Sequence, residues 1–130
     1  MSAITYLWIA LGGAVGSVAR AWVGLAVTRL AGGAFPWGTI LINVLGSLVI
    51  GACATLTAAG SRFAASLDAR AFVMVGLCGG FTTFSAFSLQ TLELAREGRP
   101  GWALANVALS VALGLLAVTA GYAMGATIKG

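Results

Sequence analysis

The 130 residues read as an all-α membrane protein with four transmembrane helices, and three observations carry that reading. Hydrophobic residues make up 60% of the chain and charged residues only 8%, where a soluble domain would carry about a quarter charged. Mean hydropathy is +1.03. The few charges divide the chain into charge-free runs at 1–19, 30–61, 71–92 and 100–128. Each run is long enough for the roughly 20 residues that cross a hydrocarbon core of about 30 Å. Helices are expected near 4–28, 37–59, 70–95 and 101–127. The short connections make residues 1–130 a single four-helix domain of antiparallel neighbours.

The first helix follows Met1-Ser2-Ala3-Ile4-Thr5-Tyr6, with no Lys or Arg ahead of the apolar run. A cleaved signal peptide needs a basic start, so this helix is expected to be retained. It contains Gly12-Gly13-Ala14-Val15-Gly16-Ser17 and then Arg20. Small residues four apart let helix backbones approach closely in lipid, and Gly76/Gly80 and Gly121/Gly125 repeat the spacing. Arg20, deep in the span, has three readings: it snorkels, it pairs with Glu93 or helix-end carbonyls, or it attracts anions into a vestibule.

The second helix opens after Pro36, a residue suited to a first turn. Thr39, Asn43 and Ser47 (or Gly46) then recur at helical spacing on one face. That polar stripe is costly against lipid and is expected to face protein or water. The third helix is expected to break mid-membrane, where Gly79-Gly80 and the β-branched pair Thr82-Thr83 weaken it. Such a break is tolerated only in protein or beside a cavity. Beyond it Phe84 and Phe87 share a face, with Ser85 and Ser88 beside them, and Gln90 and Thr91 extend the polar side towards Glu93. The fourth helix follows Gly98-Arg99-Pro100-Gly101 and carries Asn106 and Ser110 four apart. Trp8, Trp37, Trp102 and Tyr122 suit the membrane interfaces.

Several function classes fall away. The net charge of +4 comes without a basic cluster or aromatic platform, so nucleic acid is not an expected partner. The only carboxylates are Asp68, Glu93 and Glu97, and there is no histidine to act as a base. The chain is therefore not expected to be an enzyme. Cys53 and Cys78 lack a metal-ligand spacing and read as buried small hydrophobes.

Charge also bears on orientation. Arg62, Arg70 and Lys129 fall on one side of a four-span chain, and Arg29, Arg96 and Arg99 on the other. That balance leaves the positive-inside rule nothing to act on and points to an antiparallel, dual-topology dimer. No internal repeat is visible, so inverted symmetry, if needed, must come from two copies.

What remains is a set of neutral donors in lipid: Asn43, Ser110, Thr39, Thr83, Ser85 and Ser88. Such a lining replaces part of an anion's water without trapping it, as conduction requires. Phenyl rings add an electropositive edge. The half-helix after the break presents its positive end, while freed carbonyls suit a cation such as Na⁺. Taken alone, a pair such as Phe84 and Phe87 is more often core packing, and an asparagine such as Asn43 more often an interhelical hydrogen bond; their joint presence with a glycine break favours an ion path.

At these residues the chain resembles the Fluc fluoride channels, also called the CrcB family. The matching pieces are Gly12-Gly13-Ala14-Val15-Gly16-Ser17-Val18-Ala19-Arg20, then Gly38-Thr39-Ile40-Leu41-Ile42-Asn43-Val44-Leu45-Gly46. The longest is Gly76-Leu77-Cys78-Gly79-Gly80-Phe81-Thr82-Thr83-Phe84-Ser85-Ala86-Phe87-Ser88. The resemblance implies an antiparallel homodimer in the bacterial inner membrane, with two pores that passively export fluoride and lower its toxicity. It assigns Asn43 to the fluoride path, Phe84 and Phe87 to ring-edge contacts, and Ser110 to the polar side of the pore. Thr39, Thr83 and Ser88 are expected along the same path, with Arg20 matching the family's helix 1 arginine as a vestibule or structural charge. It further implies a structural Na⁺ at the dimer centre, held by main-chain carbonyls of Gly79 and Thr82 from both subunits. Gln90 stands where a glutamate is common, and Gly114 where a serine is often found. The alternative is a small multidrug-type, proton-coupled exporter; that class depends on a glutamate in its first helix, and residues 1–28 hold no Asp or Glu.

Overall fold

The computed structural model describes residues 1–129, and the regular structure among them is entirely helical. Four stretches of the described residues are long and apolar enough to cross a membrane: Ala3–Ala31, Trp37–Leu56, Leu67–Arg96 and Pro100–Ile128. Their ends differ from the expected bounds by up to three residues, and local chemistry explains the larger shifts.

Helix α1 (Ala3–Ala31) starts where the Ser2 hydroxyl accepts from the Thr5 N–H at 3.2 Å. It runs past residue 28 because Gly32, at φ 78°, takes the left-handed position that ends a helix and returns its N–H to Thr28 O at 2.9 Å. Helix α2 (Trp37–Leu56) stops short of residue 59. There the Thr57 hydroxyl and N–H both donate to Cys53 O, at 2.6 and 3.1 Å, and Ala58 N turns back to Thr55 O. The last helix, α6 (Pro100–Ile128), takes its proline in the first turn, where a missing N–H costs nothing.

The third stretch is heterogeneous. A short α3 (Leu67–Arg70), capped by Ser66, leads into a π-helical segment Ala71–Cys78 and then α4 (Gly79–Phe81). Thr82 (φ −78°, ψ 159°) and Thr83 (φ −150°, ψ 112°) are extended, and α5 (Phe84–Arg96) begins after them. Gly79, at φ −64° and ψ −39°, is helical, so the two threonines leave the helix rather than the glycines. The Thr82 hydroxyl and N–H both close onto Cys78 O at 2.9 Å, completing the preceding turn. The Thr83 hydroxyl accepts from Ala86 N at 3.2 Å and caps α5.

Packing is inverted relative to a soluble protein. Large apolar side chains lie outside, Leu30 at 89%, Phe84 at 79% and Trp22 at 73% exposure, while Thr5, Thr39, Thr55, Thr83 and Asn106 are buried. Apolar burial does not drive helices together in lipid, so close backbone contact must do so. Helix α2 packs along α6, and α1 along the π segment and α4. A Cβ on Gly16 would meet the Leu77 carbonyl oxygen and, at 2.8 Å, the Phe81 nitrogen. One on Gly121 would run into the Leu48 carbonyl and lie 3.0 Å from the Ala52 nitrogen.

Gly121→Val is expected to force α2 and α6 apart and to destabilise the chain by about 1–3 kcal/mol. The measurement is the denaturation midpoint of helicity in detergent, with Gly101→Ala, whose Cβ meets nothing within 4 Å, as the unaffected control. Equal midpoints for the two variants would contradict the described α2–α6 contact.

Candidate functional site

The extended step between α4 and α5 leaves backbone groups that a helix would have satisfied, and Asn43 on α2 takes up two of them. Its Nδ2 donates to Thr83 O at 3.0 Å, and its Oδ1 accepts from Thr83 N at 2.7 Å. The side-chain amide thus copies one rung of an antiparallel ladder. Since the Thr83 oxygen only accepts and its N–H only donates, the amide has one possible orientation. The second Nδ2 hydrogen has no partner among the described residues.

This pairing organises a cleft of about 350 Å³. Asn43, Ser47, Gly79, Thr82, Thr83, Phe84, Phe87 and Ser110 are among the residues that line it. The Phe84 and Phe87 rings are 5.5 Å apart and tilted by 53°. Phe84 is 79% exposed, so the cleft opens on the outer face of this chain. Thr83 also borders a second cleft of about 550 Å³, which holds Thr39, Arg20, Gln90, Glu93 and Glu97. Thr83 is therefore the shared wall between an apolar-rimmed space and a charged one.

The structure thus brings Asn43, Thr83, Phe84, Phe87 and Ser110 together and sets Thr39 and Arg20 on the other side of Thr83. Ser88 lines neither cleft; it is exposed and donates to Phe84 O at 2.9 Å. In the charged cleft, Arg20 Nε and Gln90 Oε1 are buried without a hydrogen-bond partner among the described residues. One is a free donor and the other a free acceptor, a pair suited to water or a small ion.

The side chain that sequence reasoning left out of the site is Asn106. It is 0% exposed, donates to the Thr91 hydroxyl at 2.9 Å and accepts from Ser110 at 3.3 Å. The four-residue spacing to Ser110 was visible in the sequence, but the partner across the helix pair, Thr91 on α5, was not. Main-chain oxygen is also available. In a continuous helix the Thr83 N–H would bond Gly79 O; here it goes to Asn43, and the Gly79 carbonyl loses that donor. Among the described residues no group of three His, Cys, Asp or Glu is placed to hold a metal.

Residues 7–122 match the family model described as CrcB-like protein, Camphor Resistance (CrcB). A protein of Methylocella silvestris, named fluoride-specific ion channel FluC, is 55% identical over 124 residues, covering 95% of both chains. A protein of the same name from Rhodospirillum rubrum is 54% identical over 119 residues, covering 92% of each. Another from Methylobacterium radiotolerans is 49% identical over all 130 residues and 90% of its own length.

Asn43→Ala is expected to strip both partners from the Thr83 backbone, at about 1–3 kcal/mol for each polar group left unsatisfied. Hydrogen exchange at the Thr83 amide should then quicken by about tenfold or more, since each 1.4 kcal/mol is a factor of ten. An unchanged rate would show that Asn43 does not hold this step.

Proposed function

The chain belongs to the CrcB family, and on that premise we propose that it is a fluoride-selective, passive channel that lets fluoride leave the cytoplasm and so lowers its toxicity. It is a multi-pass membrane protein, and a bacterial inner membrane is consistent with its relatives. Relatives named as ion channels move an ion without making or breaking covalent bonds, so the protein is not an enzyme.

The observation that carries the reading is the cleft in which Asn43, Thr83, Phe84, Phe87 and Ser110 meet. Its polar groups are neutral, so they offer hydrogen bonds without the fixed charge that would trap an ion. The free Nδ2 hydrogen of Asn43 and the ring edges of Phe84 and Phe87 supply positive character. Fluoride is far smaller than chloride and costlier to dehydrate, so a narrow path with close donors selects it. Thr39 and Thr83 continue the polar lining, Ser88 joins the path only on the exposed face of α5 that a second copy would cover, and Arg20 raises the local anion concentration in the charged cleft.

In this reading the extended pair Thr82–Thr83 lies mid-membrane, and residues 1–130 form one four-helix domain. A second, antiparallel copy closes the open side of the cleft. The 79% exposure of Phe84 beside the polar wall supports this, because that wall would otherwise face lipid. Two pores result, each built on the Asn43–Phe84–Phe87 cleft of one chain and closed by the partner copy. The freed carbonyl of Gly79, with that of Thr82, is the oxygen type a hard cation takes, and a structural Na⁺ between the two copies fits that donor set. Bound there, it would supply charge to hold the two breaks together.

Liposomes loaded with fluoride and chloride are expected to lose fluoride quickly and keep chloride once the protein is present, with ion-selective electrodes as the readout. Equal loss of both ions would refute selectivity, and a cationic dye driven by a pH gradient would point to the exporter instead. Phe84→Ile is expected to lower fluoride flux about tenfold or more, as loss of a ring-edge contact worth about 1.4 kcal/mol or more requires, with the oligomer unchanged on size-exclusion chromatography.

A further inference from the structure

Ser110, Asn106, Thr91 and the Phe87 carbonyl form a hydrogen-bonded chain whose direction follows from chemistry alone. Phe87 O only accepts, so the Thr91 hydroxyl, 2.7 Å away, gives its proton to it. Thr91 Oγ1 must then accept from Asn106 at 2.9 Å, which turns the NH₂ end of the amide towards α5. Asn106 Oδ1 is left facing Ser110 at 3.3 Å, and an amide oxygen only accepts. The Ser110 hydroxyl therefore donates away from the cleft that it lines. What it offers that cleft is lone pairs, the wrong sign for an anion.

Resting on the fluoride-channel reading, we propose that Asn106 is a positioning residue that sets the proton polarity of Ser110. An anion in the cleft draws the Ser110 proton away from Asn106 Oδ1, so the Asn106–Ser110 bond and the Ser110–anion contact exclude one another. At 3.3 Å that bond is the longest of the chain and the one that opens. Asn106 is 0% exposed, so its oxygen finds no water when Ser110 turns away, and it reclaims the proton as the ion leaves. The competition keeps the ion weakly held, which conduction needs. Asn106 itself touches no ion; it acts through Ser110.

The chain has only two asparagines, Asn43 and Asn106, so carbon-13 and nitrogen-15 asparagine labelling in lipid nanodiscs yields two side-chain signals, assigned with Asn106→Leu. Sodium fluoride is expected to move the Asn106 Cγ resonance upfield, as its oxygen loses a donor, while sodium chloride leaves it in place. Ser110→Ala should show the shifted position without fluoride and no further response. In Asn106→Leu the Ser110 proton is free, and the fluoride midpoint read on Asn43 should fall about two- to tenfold, the worth of one neutral hydrogen bond. Adding Ser110→Ala should reverse that fall, which a merely structural Asn106 would not produce. An Asn106 signal that stays fixed, in wild-type protein that does release fluoride from liposomes, overturns the proposal whatever the variants do. Absence of fluoride release overturns the channel reading, and this inference with it.

Discussion

The pairing of the Asn43 amide with the Thr83 main chain is the constraint on which the site depends. Backbone N–H and C=O groups away from water must be partnered, and an extended step between two helices cannot partner its own. Asn43 meets that need from a neighbouring helix at 2.7 and 3.0 Å. Because it does, Thr83 can cap α5, Phe84 and Phe87 start a new helix whose direction is independent of α4, and Gly79 O loses its ordinary donor. A polar residue that a sequence reader would assign to ligand contact thus also serves as scaffold, and only one of its hydrogens is left for anything else.

Backbone proximity makes the pairing possible. Asn43 reaches Thr83 only if α2 lies close to the α4–α5 step, and α1 holds that stretch from the other side. Glycines do this work: Gly16 sits on the Leu77 carbonyl and Gly121 on that of Leu48, with no room for a methyl group at either. The Ser17 hydroxyl adds a bond to Gly80 O at 3.4 Å. The interior is consequently built from small and hydroxyl-bearing residues, and the bulky apolar ones are left for lipid. That arrangement suits a solvent that is itself apolar, where dispersion and hydrogen bonds replace the hydrophobic effect as the force between helices.

The two clefts divide the electrostatics. Arg20, Gln90, Glu93 and Glu97 line one cleft, so charge is concentrated on one side of Thr83. On the other side the polar groups are neutral, and their protons are ordered by the main chain rather than by ionisable groups. In the proposed channel this means attraction and passage are handled by different residues. A wall of amides and hydroxyls provides weak contacts that can be made and broken in turn.

Much of this was legible in the sequence, for identifiable reasons. Long charge-free runs determined the four spans, since length and hydropathy are local properties. The stripe Thr39–Asn43–Ser47 and the pair Phe84–Phe87 followed from helical periodicity, and the quoted family motifs were enough to name the family. Helix ends were less legible, because capping by Gly32, Thr57 and Ser66 depends on which competing backbone bond wins. Other features arise only when distant segments meet. That the step falls at the threonines rather than the glycines, that Asn43 spends both ends of its amide on Thr83, and that Asn106 is sealed between Thr91 and Ser110 are facts of tertiary contact. A hydrogen bond across forty residues leaves no periodic trace, so the sequence determined which groups had to be kept from lipid, and the packing of helices decided which of them satisfy one another.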